Sequence, residues 1–369
     1  MIRIISILLK ALLVKPPYYS AFPPLGLLKI STLLDLKGYE PKGIQRYHEG
    51  KDRPASFTPD EIYVTSLFTY SWKIVHNSIA FYKRLYPNAK IFLGGLYASL
   101  LPEHAATSGA EVHKGLLQEA ENLMPDYSLV PNWDGSIIFS SRGCIRKCPF
   151  CAVPILEKEF KARDSISKFI NPSHSKVILW DNNFLSSPYW YEVLMEIKSR
   201  GLMVDFNQGI DIRIINDEKA KVIASLKTRL IRSAYDSIAS RKEVQRGIEL
   251  LASYGVSRRK ILLYTLLNFE NDTPDDLLNR MLDIMEWGAV SYPMRYQPIK
   301  LPYALEKDSY ISPNWTAEEL EMVADARRVL GYHGAFAPYT KLREKFLKAK
   351  SLQDALVLRP MQQPRKASS

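Results

Sequence analysis

The sequence predicts an α/β protein: a doubly wound parallel sheet, then a partial barrel of six β/α units, then a short helical tail. Three observations predict this. Short apolar runs alternate with helical periodicity from 11 to 125, the pattern of a parallel sheet flanked by helices. Six more apolar strands recur between 136 and 295, separated by helical patterns. All three cysteines of the 369-residue chain fall within eight residues, just after the first of those six strands. The expected units are 1–130, 131–300 and 301–369.

In the first unit, Ala11 to Lys15 is an apolar strand ended by Pro16 and Pro17. Leu27, Leu28, Ile30, Leu33 and Leu34 stand at helical spacing, and Gly38 is a natural stop for that helix. Ile62–Ser66 reads as a buried strand, 72–85 as a helix ended by Pro87-Asn88, and Lys90–Gly95 as a strand running into a diglycine. Ligands of such sheets bind beyond the carboxyl ends of the strands, where Ser66, Gly94 and Gly95 lie. A tight turn needing unusual backbone angles explains one of those glycines more easily than two. Residues 116–130 read as a connector.

In the second unit, Ser136–Ser140 is a strand that delivers the cysteine loop. Strands follow at 176–180, 202–206, 229–233, 260–264 and 289–295, with helices at 188–200, 217–226, 240–254 and 274–287. Thr273-Pro-Asp-Asp276 is a helix start, with proline in the first turn and acids near the positive end. Barrel chemistry sits at the carboxyl ends of strands. Those ends are polar here: Asp181, Asn182, Asn183, Gln208, Asp211, Asp236, Arg295 and Gln297, with Arg232 inside the fourth strand. Each of them alone reads equally well as a helix cap or a salt-bridge partner.

In the tail, Thr316 to Glu319 forms a capping box for a helix reaching about Leu330. A second helix is expected from 340 to 350, His333 on a turn near the barrel mouth, and disorder from 360 to 369 given its polar, proline-rich composition.

The cysteines are Cys144, Cys148 and Cys151, spaced C-x3-C-x2-C with Phe150 before the last. Thiolates are the usual ligands of a [4Fe–4S] cluster, and three of them leave one iron open. Structural zinc takes four ligands; no fourth cysteine exists, and His113 and His174 are distant in sequence. The motif resembles the radical S-adenosylmethionine (SAM) superfamily, whose hallmark is C-x3-C-x-aromatic-C. That resemblance implies a cluster on Cys144, Cys148 and Cys151, with SAM on the open iron and cleaved to a 5′-deoxyadenosyl radical. It implies that Asp181, Asn182 and Asn183 face the SAM ammonium and that Gln208, Asp211 and Arg232 lie near its ribose and carboxylate. Asp236, Arg295 and Gln297 are placed at SAM or substrate.

The first unit resembles the Rossmann-like cobalamin-binding domain found upstream of many radical-SAM cores. The matching stretches run through Pro16-Pro17-Tyr18, Phe22 to Gly26, Gly94-Gly95-Leu96-Tyr97-Ala98 and Pro102-Glu103-His104. The resemblance implies that Gly94, Gly95 and Ser66 contact a nucleotide tail. The D-x-H-x-x-G motif that supplies a histidine to cobalt is absent, and His48 is in the wrong place for it. Two outcomes follow: cobalamin-dependent methylation of an unactivated carbon, or a cobalamin-independent rearrangement, oxidation or RNA modification. A non-enzymatic alternative is an iron–sulfur electron carrier or redox sensor.

Composition bounds the partners. Net charge is +11 with 50 basic against 39 acidic residues, which favours an anionic substrate such as RNA or a phosphorylated metabolite. Residues 341–350 hold five basic residues against one acid. The stretch from Arg142 to Arg163 is also basic and suits an acidic substrate or an electron-donating reductase such as flavodoxin or ferredoxin. No apolar run approaches the about 20 residues of a membrane span. A thiol cluster without a disulfide framework points to a reducing cytoplasm.

Overall fold

The computed structural model describes residues 9–39, 52–330 and 334–357. His48, His333 and the expected disordered end lie outside the described residues.

The protein is a mixed α/β structure with parallel sheets. The first sheet contains β1 (Ala11–Val14), β2 (Glu61–Ser66), β3 (Lys90–Gly95) and β4 (Glu111–Val112), all parallel, in the order β1-β2-β3-β4. β1 is buried on both sides. Leu12 and Val14 join a core with Ile62, Val64 and Leu93, while Ala11 and Leu13 pack with Leu27 and Leu34 of the helix Leu25–Leu36. Continuous burial of this kind is what helices on both faces of a parallel sheet produce. β4 is an edge of two residues that apolar periodicity is too short to reveal.

β5 (Ser136–Ile138) opens the second unit. A short antiparallel pair, β6 (Ser141–Arg142) and β7 (Lys161–Ala162), follows and encloses the cysteine loop. Then come β8 (Lys176–Leu179), β9 (Met203–Phe206), β10 (Ile231–Ala234), β11 (Ile261–Leu267) and β12 (Val290–Arg295). They pair in parallel as β5-β8-β9 and β10-β11-β12. The two halves are stitched where Ile210 N–H donates to the Arg232 carbonyl at 2.8 Å. Helices at Trp190–Ser199, Asp217–Ala224, Arg241–Ser253 and Pro274–Glu286 cover the strands. Their apolar faces fill one large core with Val193, Ile223, Val244 and Ile284 fully buried.

Both expected helix starts form capping boxes, Thr273 with Asp276 and Thr316 with Glu319. The final helices, Ala317–Val329, Thr340–Lys348 and an unexpected Leu352–Leu356, share a core with Leu277, Met281 and Met285 of the helix Pro274–Glu286. The segment after β12 turns back to the first unit. Ala304 is buried in the first sheet's core, and Trp72 Nε1 donates to the Leu305 carbonyl at 3.2 Å. No helix among the described residues is long and apolar enough to cross a membrane.

Candidate metal centre

The cysteine loop is held at its base by a buried carboxylate. Asp181, just beyond β8, is 1% exposed. It accepts from the amide and hydroxyl of Ser140 at 3.2 and 2.6 Å, and from those of Ser141 at 2.5 and 2.7 Å. Burial raises its pKa, and those four donors oppose the rise. Next in the chain, Gly143 sits at φ +76°, and a Cβ there would stand 2.3 Å from the Glu159 carbonyl oxygen. Only glycine allows that close return of the loop. Glu157 then accepts from Gly143 N–H at 2.6 Å, from Arg142 at 3.1 Å and from Asn182 at 3.0 Å.

Above this base stand the thiols. Cys148 and Cys151 are joined by a backbone bond of 3.0 Å from the Cys151 amide to the Cys148 carbonyl. Backbone amides point at two sulfurs: Arg146 N–H at Cys144 Sγ, 3.3 Å, and Val153 N–H at Cys151 Sγ, 3.5 Å. Burial, then repulsion from neighbouring thiols, raises the pKa of Cys148; burial chiefly raises that of Cys151. Metal binding therefore has to displace protons. Among the described residues no three His, Cys, Asp or Glu side chains converge as ligands of a single ion. Three thiolates on separate irons of one cluster stand further apart than that. Three neighbouring thiols in one braced loop, with amides aimed at sulfur, fit the donor set of such a cluster.

The strand-end residues divide into two groups. Asp211 and Asp236 are near the thiols, and Asn183 follows Asp181 and Asn182 in the chain. Asn183 is 3% exposed, and its Oδ1 is buried without a hydrogen-bond partner. Asp211 accepts from Arg146 Nε at 2.9 Å and from Arg213 Nε at 2.6 Å. Burial raises its pKa, but the two guanidinium groups outweigh that and hold it below the usual range. Asp236 feels the charges of Arg280 and Arg213 and is itself felt at Cys148; burial nevertheless raises its pKa. Phe150 meets Phe269, from the loop after β11, edge to face at 5.5 Å.

Most of the other strand-end groups are already engaged with protein partners, Asp181 and Asn182 at the base of the loop itself. Asp181 spends its carboxylate on Ser140 and Ser141, so it does not offer itself to an ammonium. Asn182 donates its amide to Glu157. Arg232 is paired with Asp205. Gln208 is exposed, with a long 3.5 Å contact to Asn207. Arg295 donates to the carbonyls of Asp308 and Tyr310 at 2.6 and 2.8 Å, and Gln297 to those of Tyr303 and Glu306 at 2.6 and 3.0 Å. Both therefore fasten the 303–310 segment.

The diglycine has its own structural cause. Gly95 lies at φ +102°, and an added Cβ would stand 2.1 Å from the Ser66 carbonyl oxygen. Ser66 is 1% exposed; its hydroxyl donates to the Gly94 carbonyl at 2.7 Å and accepts from Ala98 N–H at 3.3 Å. The β2–β3 junction uses the Ser66 hydroxyl, whereas Gly95 is exposed. A Cβ added at Gly94 would meet nothing within 4 Å. Of the three residues expected at a nucleotide tail, Ser66 has its hydroxyl committed within the protein.

Several residues that build the site escape sequence reading. Glu121 takes Arg142 in a bidentate pair at 2.8 and 2.9 Å, with Lys29 and Arg163 at 3.7 and 3.8 Å. Glu157 and Glu121 have no local signature, since their partners come from the fold. Arg146 did have one, lying between the first two cysteines. No protein-family model matches the chain, and no curated protein matches it.

Proposed function

We propose that the chain is a radical-SAM enzyme, with Cys144, Cys148 and Cys151 holding a [4Fe–4S] cluster in a partial barrel that follows a Rossmann-like domain. The observation that carries this reading is the braced loop: three neighbouring thiols, sulfur-directed amides, and a base locked by Asp181. When bound, such a cluster supplies the electron that splits SAM into methionine and a deoxyadenosyl radical.

The chain's own residues then have distinct tasks. Asn183 offers a buried carbonyl oxygen that lacks a donor, and an ammonium group relieves its desolvation, worth about 1–3 kcal/mol. Asp211 keeps Arg146 and Arg213 beside the thiols, so the loop presents positive charge to a carboxylate or phosphate. Phe150 and Phe269 pack edge to face beside the last cysteine. The reaction is read as cobalamin-independent, because the Ser66 hydroxyl is consumed by the sheet junction. An electron-donating reductase is the implied partner.

Anaerobic reconstitution followed by reduction tests this directly. Four irons per chain and release of 5′-deoxyadenosine from SAM are expected. Iron uptake without SAM cleavage would instead favour an electron carrier or redox sensor, and zinc without iron uptake would remove both readings.

A further inference from the structure

Far from the thiols, the chain concentrates most of its charge excess. Arg258, Arg259 and Lys260 are consecutive, and 341–350 carries five basic residues against one acid. Together these two segments account for +7 of the net +11. The fold brings them together. Ser291, at the start of β12, exchanges backbone bonds with Phe336 at 3.0 and 2.7 Å. Phe336 and Phe346 are both fully buried, which seats the helix Thr340–Lys348. Tyr339, just before that helix, is 55% exposed, and the Arg259 guanidinium stands 5.7 Å from its ring centre. Lys260, Lys341 and Arg343 are exposed beside this pair in sequence, whereas Arg258 is half-buried and donates to the Trp287 carbonyl at 3.1 Å.

We infer that this face binds single-stranded nucleic acid, with Arg259, Lys260, Lys341 and Arg343 on phosphates and Tyr339 as a stacking platform. An exposed ring set in a dense basic field is the combination such ligands use: charge follows the backbone and the ring takes a base. An acidic protein or anionic bilayer would need the charge but not the ring. The face is at the amino ends of β11 and β12, whereas the cysteine loop leaves the carboxyl end of β5. The seven residues of β11 alone put about 20 Å between those ends. It is therefore an anchoring surface separate from the thiols, and it does not depend on the chemistry proposed for them.

The test is fluorescence anisotropy of the full chain with labelled, unstructured RNA and DNA oligonucleotides of about 16 nucleotides, titrated across salt. Binding of either is expected, with a log–log salt slope near about −3 for four phosphate contacts. Replacing Arg259, Lys260, Lys341 and Arg343 together by alanine should weaken binding at least about tenfold and remove most of that slope. Tyr339→Ala should weaken it about fivefold or more while leaving the slope unchanged. Circular dichroism melts and iron uptake should match wild type in both variants. Binding of neither oligonucleotide, unchanged affinity in the fourfold variant, an unaffected Tyr339→Ala, or equal binding of polyglutamate or phosphatidylserine vesicles would overturn the inference.

Discussion

Asp211 reaches Arg146 at 2.9 Å, joining the segment after β9 to the loop between the first two cysteines across 65 residues of chain. The same carboxylate holds Arg213 at 2.6 Å, so one buried acid sets two cations beside the thiols. Asp211→Asn keeps one acceptor and removes the charge. Outer-shell changes of this type cost about 10–100-fold in metal affinity. Iron uptake at limiting iron should fall accordingly, while iron content after saturating reconstitution approaches wild type. Equal uptake at limiting iron would show that the loop is organised without Asp211.

Asp181→Ala is expected to damage folding before anything else. It strips two amides and two hydroxyls of a buried acceptor, which predicts a loss of about 3 kcal/mol or more. Urea unfolding reads this directly. A wild-type midpoint would mean that the four bonds are dispensable.

Asn183→Leu should behave in the opposite way. Its Oδ1 has no partner to lose, so melting should stay within a few degrees of wild type. SAM affinity of the reconstituted protein, followed by calorimetric titration, should drop about tenfold, in line with one lost hydrogen bond to a charged group. Unchanged affinity would remove Asn183 from the SAM site.

The two glycines should separate cleanly. Gly95→Ala forces a Cβ to 2.1 Å from the Ser66 carbonyl oxygen at φ +102°, and strain of this kind costs about 1–3 kcal/mol or more. Gly94→Ala meets nothing within 4 Å and should melt close to wild type. After incubation with hydroxocobalamin and gel filtration, the wild-type protein should show no corrinoid absorbance. Retained cobalamin would reopen the methylation reading.

Lys29 provides a pH test. Burial lowers its pKa from 10.5 to about 8, and Arg142 and Arg163 add to the shift against the pull of Glu121. The unfolded chain therefore binds more protons than the folded one between about pH 8 and 10.5, so stability rises with pH across that window. The full effect is bounded at about 3 kcal/mol. Lys29→Met should flatten the difference. The check is unfolding midpoints at pH 7.5 and 9.5 in both proteins; the same pH slope in both would refute the assignment.

The order of strands and helices was legible because it rests on local periodicity. A parallel strand buried on both faces needs a short apolar run, and a helix needs apolar residues three and four apart. Thr316 with Glu319 was readable for the same reason: a capping box is complete within four residues. The clustering of the three thiols was readable because all of them lie in one loop. What only the tertiary structure decided is the direction each polar strand end faces. Asp181 turns back to Ser140 and Ser141, some 40 residues earlier. Arg295 and Gln297 turn to the returning 303–310 segment, and Ser66 to Gly94 across the sheet. A carboxylate or amide at the end of a strand has the same local sequence whether it meets a ligand or a neighbouring backbone. Desolvation requires that it meet something, and the partner is chosen by packing between segments that the sequence keeps far apart.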